Sequence, residues 1–416
     1  IVDLFPAPDE RPAMIGTNPK NKDLVELPIT ADAPFSAQVF KTTADPFAGR
    51  LTVFRVLSGT LQGDSFYNAN KDTSERFGHP FILEGKEQKP IETAVPGMIV
   101  AAAKLKETGT GDTLCDAAAP VRYDPLEPMP AVISYAVTAT KDEEKVFSSL
   151  TRLLDEDLTL QVIHEHDTHE VLISGVGQIH LEVIKEKLKR KFSVEMELSL
   201  PKIAYRETLR GKATVQGKHK KQSGGRGQYG DCTVELEPLD NGEHFEFVDK
   251  IVGGVIPQQY RPAVEKGIRE AMEKGVLAGY PFEGLKVTLI DGSYHNVDSS
   301  EMAFKVAGSL AFKKGVMEAN PVLLEPVMEM EIRVDKEQVG DVMGDLNSRR
   351  GKVLGMDTAD KYELIRAQVP QAEIQLYAPD LTSMTGGRGS FRVWFSHHEE
   401  VPSHIAEKII AEHNAA

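Results

Sequence analysis

Short alternating runs at 36–41, 51–57, 65–68 and 99–105 place apolar and polar residues in period two, separated by Gly, Pro and Asp turns. That pattern predicts an antiparallel β-barrel over residues 28–122. Further on the period changes. A strand at 132–139 is followed by Val146, Leu150, Leu153 and Leu154 at helical spacing, with Thr140 and Glu143 placed as a capping box. Strands at 160–163 and 170–174, a helix carrying Leu181, Ile184 and Leu188, and a strand at 193–198 complete a β-α-β-β-α-β order over 130–199.

The same order returns over 323–416. Strands at 327–334, 352–356, 362–369 and 391–395 alternate with a helix at 337–350 and a helical segment after Pro370, and a last helix spans 403–411. Between the two copies, residues 200–322 mix strands at 213–215, 232–236 and 285–290 with two helices. Pro262 suits the first turn of one, with Val264, Ile268 and Ala271 facing inward; the other spans 299–318. The expected architecture is multidomain α/β and β: a β-barrel, then two split-βαβ domains of the ferredoxin-like type flanking a different, mixed α/β domain.

Composition fits a water-soluble multidomain chain. Its 416 residues are 41% hydrophobic and 27% charged, and no apolar run approaches the ~20 residues needed to cross a bilayer. Two widely spaced cysteines, Cys115 and Cys232, argue against a disulfide scaffold or a zinc pair and suit a reducing cytoplasm. The net charge of −15 taken alone disfavours a polyanionic partner, but the charge is unevenly distributed. From Glu182 to Arg226 there are thirteen Lys/Arg against five Glu. Fields of exposed charges fade over a Debye length of ~8 Å, so a distant acidic face need not spoil a basic one.

Two small-residue loops carry the candidate chemistry. One reads SGGRGQYG from Ser223 to Gly230; the other reads DGSYHNVDSSEM from Asp291. Glycine lets backbone approach a partner closely, Arg226 brings a planar donor fork, and Gln228 an amide with donors and acceptor. His295 stands ahead of a helix start at which Asp298 can cap and Glu301 can reach back. Such loops suit contact with a polyanion, and the candidate residues are Gly224, Gly225, Arg226, Gly227, Gln228, His295 and Asn296, with Lys220 and Lys221 beside them. A hairpin tip and a plain loop histidine are the bland alternatives. A triad built on His295 with Asp291 or Asp298 finds no G-x-S-x-G elbow in the chain. His164, His166 and His169 have a metal-like spacing but no fourth ligand, and no metal is assigned to them.

These strings, with GGVIPQQYRPAVEKGIREAMEKG from Gly253, LISGVGQIHLEVIKEKLKR from Leu172 and MGDLNSRRGKVLGM from Met343, resemble the bacterial translation elongation factor G family. The resemblance covers nearly the whole chain and implies that the four pieces are the family's second to fifth domains (barrel, ferredoxin-like, elongated mixed α/β arm, ferredoxin-like), residues 1–27 being the exit from a GTP-binding domain and a linker. No Gly-Lys pair is followed by Ser or Thr: those at 85, 211, 217 and 351 precede Glu, Ala, His and Val, so no phosphate-cradling loop is expected. GTP and Mg²⁺ are then cofactors of a domain absent from this sequence, and this part is not itself an enzyme.

The family's role in translocation implies a monomeric, cytoplasmic partner of the ribosome. Its arm meets tRNA and mRNA through the two loops, and its last domain meets ribosomal RNA through Arg349, Arg350 and Lys352. Asn296, where the translocating factor usually has an acidic residue, and the 78–91 segment bring the chain nearer to elongation-factor-G-like paralogues. Ribosome recycling or ribosomal protection is therefore the alternative function, and an enzyme using His295 a remote one.

Overall fold

The structure, a computed structural model, describes residues 4 and 6–415 other than 46–48, 86, 223–226, 240–243 and 360. It divides into two compact units, residues 1–165 with 170–201, and residues 166–169 with 202–416.

The first unit opens with a hairpin of β1 (Met14–Thr17) and β2 (Leu24–Leu27). Eight strands follow: β3 (Ser36–Asp45), β4 (Gly49–Ser58), β5 (Ser65–Asn68), β6 (Thr73–Arg76), β7 (Phe81–Glu84), β8 (Glu87–Pro90), β9 (Ile99–Ala103) and β10 (Thr113–Cys115). They form one antiparallel sheet in the order β6-β5-β10-β3-β4-β9-β7-β8, around Val39, Phe54, Val56, Val100 and Leu114. The expected barrel does not close, because among the described residues no pairing joins β6 to β8. The β7–β8 hairpin touches β9 through the single pair Phe81↔Ala101, and β8 is exposed along its whole Glu-Gln-Lys-Pro length. A charged, proline-ended strand of this kind makes a poor template for a further partner.

A β-α-β-β-α-β succession completes the unit: β11 (Ile133–Ala139), α1 (Glu143–Leu154), β12 (Gln161–Glu165), β13 (Glu170–Gly175), α2 (Gln178–Phe192) and β14 (Met196–Ser199), with strand order β12-β13-β11-β14. Val146, Leu150 and Leu153 bury the inner face of α1. Its cap differs from the expected box. Asp142 Oδ1 accepts from the Lys145 amide at 3.0 Å, while the Thr140 amide bonds Glu195. Asp142 directly precedes the first helical residue, so the shorter reach prevails.

The second unit holds two sheets. Strands β16 (Ala213–Lys221), β17 (Gln228–Pro238), β18 (Phe245–Asp249) and β19 (Leu285–Ser293) pair in the order β16-β17-β19-β18, the last two parallel. Helices α3 (Arg261–Glu273) and α4 (Glu301–Glu318) complete the core with Val234, Leu236, Ile268, Phe304 and Phe312. The sheet and α4 meet almost backbone to backbone. A Cβ on Gly217 would lie 2.2 Å from the Ala307 carbonyl oxygen, and one on Gly230 would lie 2.4 Å from that of Ala303. Glycine on the strands and alanine on the helix are what make this approach possible.

The other sheet joins β15 (Arg206–Leu209), β20 (Pro321–Asp335), β21 (Lys352–Ala359), β22 (Tyr362–Pro370) and β23 (Ser390–Glu400), with order β15-β20-β22-β21 and β23 on the free side of β20. Helices α5 (Val339–Ser348), α6 (Gln371–Ile374), α7 (Tyr377–Thr385) and α8 (Ser403–Ala415) belong to this part. Glu207 of β15 is fully buried, and its carboxylate accepts from the amides of Val276, Ala278, Leu277 and Tyr280 at 2.6, 2.7, 2.9 and 3.2 Å. Four backbone donors offset the cost of desolvating this charge. They also hold the 276–280 loop to the strand.

Candidate nucleic-acid interface

The hairpin of β16 and β17 is in register up to Lys221↔Gln228, and β19 ends beside it with Ser293 opposite Asp231. One residue of β19, Ile290, is extra between the pairs Thr233↔Asp291 and Val234↔Leu289. Such a bulge sharpens the local twist of a strand, here just before the 294–299 loop.

Gly224, Gly225 and Arg226 lie outside the described residues. Gly227 is described, and its amide donates to Asp298 Oδ1 at 3.1 Å. The Tyr229 amide donates to the Asp298 carbonyl at 2.8 Å, and Ser299 Oγ donates to the Tyr229 carbonyl at 2.9 Å. The two loops thus form one structure, 70 residues apart in sequence. Asp298 is not the helix cap that its spacing to Glu301 suggests. Ser300 takes that place, its Oγ accepting from the Ala303 amide at 3.2 Å, and this frees the Asp298 carboxylate for the hairpin.

His295 is built into the loop through one ring nitrogen. Its Nδ1 accepts from the amides of Val297 and Asp298 at 3.3 and 3.2 Å, so the proton of the neutral ring sits on Nε2. Nε2 has no protein partner among the described residues, and the side chain is 55% exposed. Ser299 Oγ accepts from the His295 amide while donating to the Tyr229 carbonyl. It is spent on backbone and is not poised as a nucleophile. Gln228 is exposed, with its Oε1 2.9 Å from His219 Nε2; donation from that nitrogen leaves both amide N–H donors of Gln228 unspent. Lys220, Lys221 and Asn296 are also exposed.

Beneath these groups lies a polar cluster that sequence reasoning missed. Asp231, 3% exposed, accepts from Gln216 Nε2 at 2.8 Å and from Ser293 Oγ at 2.9 Å, and lies 3.5 Å from Lys218 Nζ. Tyr229 Oη joins Ser293 Oγ at 2.7 Å, and the Tyr229 ring lies 6.3 Å from that of His295. The Asp231 charge raises the Lys218 pKa above its ordinary value. Three adjacent strands are tied together by one carboxylate. Only the period-two position of Asp231, between buried Gly230 and Cys232, could have signalled it.

The other proposed contact group behaves differently. Arg349 holds the Asp345 carboxylate at 2.7 and 3.2 Å, Asp380 at 2.7 Å and the Glu373 carbonyl at 2.8 Å. Arg350, at φ +59°, holds Glu325 in a bidentate pair at 2.5 and 2.9 Å and Glu373 at 2.9 Å. Both guanidinium groups are engaged by carboxylates of their own unit, which leaves Lys352 as the exposed cation of the three. On α2 likewise, Lys185 and Lys189 pair with Glu197 and Glu195 at 2.9 and 3.1 Å. Among the described residues no three His, Cys, Asp or Glu side chains gather as for a metal ion, and no helix is long and apolar enough to cross a membrane.

Comparison with known proteins gives the same family along the chain. Residues 34–117 match elongation factor G domain 2, 128–200 domain III, 201–320 domain IV and 322–409 the elongation factor G C-terminus. Elongation factor G of Aquifex pyrophilus is 46% identical over 419 residues, covering 100% of this chain. A crystal structure of a Thermus thermophilus protein matches with a TM-score of 0.79 at 40% identity, over 92% of this chain and 58% of that one. The chain spans 60% of the length of the Aquifex relative. It belongs to the elongation factor G family, of which it carries domains 2, III and IV and the C-terminal domain.

Proposed function

We propose that this chain is the ribosome-binding part of a translation factor that promotes tRNA–mRNA translocation, with the 200–322 arm entering an RNA-lined site. The observation that carries this reading is the joined tip, where Gly227 and Tyr229 bond Asp298 while Lys220, Lys221, Gln228, His295 and Asn296 stay exposed. Ammonium groups neutralise phosphates. The His295 Nε2–H and Gln228 amide donors are suited to phosphate oxygens or 2′-hydroxyls. Lys352 adds a separate contact to ribosomal RNA. GTP and Mg²⁺ belong, in this reading, to a further domain of the intact protein, whose hydrolysis step biases the position of the arm.

Co-sedimentation with ribosomes across a salt series tests the proposal. Each phosphate neutralised steepens log affinity against log salt by about 0.7–0.9, so Lys220→Ala and Lys221→Ala each lower the slope by about that amount. Binding indifferent to salt contradicts the proposal. Gln228→Ala and His295→Ala, assayed in translocation and in ribosome recycling, separate the two roles by which assay they impair.

A further inference from the structure

We propose that the loop over residues 250–257 and Tyr294 form a platform on which an unpaired RNA base stacks. The inference rests on the RNA-binding reading above and gives the tip its ligand element.

Side chains alternate across β19. Ser293 points to the face of Asp231 and Tyr229, so Gly292 and Tyr294 take the opposite one. There Gly292 lies against Ile256: a Cβ on it would stand 2.5 Å from Ile256 Cδ1. The 250–257 segment therefore returns to the end of β19, and Tyr260, just beyond it, donates its hydroxyl to the Ser299 carbonyl at 3.4 Å. The segment is pinned at both ends, since Asp249 accepts from the Ile251 amide at 3.0 Å and from Arg261 at 2.9 Å, and Arg261 also donates to the Ile256 carbonyl at 3.1 Å. Between the pins, Gly253 and Gly254 have φ of +76° and +78°, with open space where side chains would be. The turn presents Val252 at 83% exposure, and Tyr294, directly after the strand that Asp249 and Lys250 flank, is 45% exposed. Tyr294 makes no hydrogen bond or ring contact among the described residues. Val255 and Val297 add apolar surface.

Apolar side chains exposed together at the end of a rigid element mark an interaction surface. The surrounding charge selects the partner. Lys220 pairs across the hairpin with Tyr229, two residues along β17 from Asp231, which itself faces Ser293, so the cations and the platform share one end of the sheet. An aromatic face with adjacent ammonium groups suits a single-stranded nucleotide: the ring takes the base and the lysines its phosphates. Asn296, exposed next to His295, has the amide that can read a base edge.

The test titrates the full chain into a single-stranded RNA oligonucleotide carrying 2-aminopurine, and into the same strand with an abasic site. The expected results are quenching of the 2-aminopurine by the natural chain and by Tyr294→Phe, and affinity about tenfold lower for Tyr294→Ala, with the salt slope unchanged. The abasic strand binds the natural chain as weakly as the intact strand binds Tyr294→Ala. Equal quenching by Tyr294→Ala overturns the platform. Salt-dependent binding without quenching overturns it too, and leaves the RNA-binding reading standing. Loss of ribosome affinity in Tyr294→Ala with equal affinity for the two strands assigns the surface to a protein and also overturns it. If neither RNA nor ribosomes bind the natural chain, the underlying reading fails and the platform with it.

Discussion

Asp298 and Gly227 are joined by an amide-to-carboxylate hydrogen bond of 3.1 Å that closes one candidate loop onto the other. Removing the acceptor in Asp298→Ala strips a charge-assisted bond of about 1.5–3 kcal/mol from the tip alone. Amide exchange at Gly227 is expected to quicken at least tenfold, while the melting temperature moves little. Unchanged exchange at Gly227 would show that the loops keep their place without it.

The contact of α4 with β16 and β17 leaves no room for a methyl group. Gly217→Ala and Gly230→Ala are expected to cost about 3 kcal/mol or more, because the clashing atoms are backbone and cannot swing aside. Gly344, exposed within α5 with nothing within 4 Å of its missing side chain, predicts the reverse. Gly344→Ala should gain about 0.5–1 kcal/mol from helix propensity. Denaturant unfolding of the three variants checks both signs.

Glu283 lies 3.1 Å from His398 Nδ1, and this bond is the leading reason that its carboxyl pKa is lowered, with His244 and Arg206 adding their charge. A carboxylate depressed on folding contributes stability that is fully present above its unfolded pKa of about 4.3 and is lost as pH falls through the folded value. The acid limb of the stability curve below about pH 4.3 should therefore be shallower in Glu283→Gln than in the natural chain. Parallel acid limbs would count against the pair.

Burial pushes the Cys115 thiol up to about 11 and the Cys232 thiol to about 12. Thiolate is the reactive form, so neither cysteine should react with an aromatic disulfide reagent at about pH 8 in the folded protein. Both should react once denaturant is added. Rapid labelling of either in native buffer contradicts the packing around it.

Much of this fold was legible from periodicity, and its failures have physical reasons. The apolar stripes of α1 and α3 announced themselves because one face of each is buried against a core. Strand ends were underestimated where polar residues occupy an open sheet face: β16 runs on to Lys221 and β23 to Glu400, beyond their apolar stretches. Alternation signals antiparallel pairing but carries no information on closure, so the open sheet of the first unit read as a barrel. β18 escaped notice because its parallel partner β19 lies 40 residues away.

The candidate site was legible by composition and not by contact. Glycine, lysine and histidine marked the two loops, yet the Asp298–Gly227 bond is long-range and leaves no local trace, and the Asp231 cluster leaves only the place of that carboxylate between Gly230 and Cys232. The ion pairs of Arg349 and Arg350 are hidden from the sequence for the same reason. The carboxylates that claim them come from Glu325, Asp345, Glu373 and Asp380, on four separate stretches of chain.

The fifteen-residue β20 bears on how the protein can be dissected. Family boundaries fall between 320 and 322, but Pro321–Leu324 already pairs with β15, whose Glu207 secures the 276–280 loop. A cut at that boundary severs a hydrogen-bonded ladder, not a linker. An arm excised there keeps β15 with no neighbour on that edge, so any fragment meant to report on the tip alone has to extend through the end of β20.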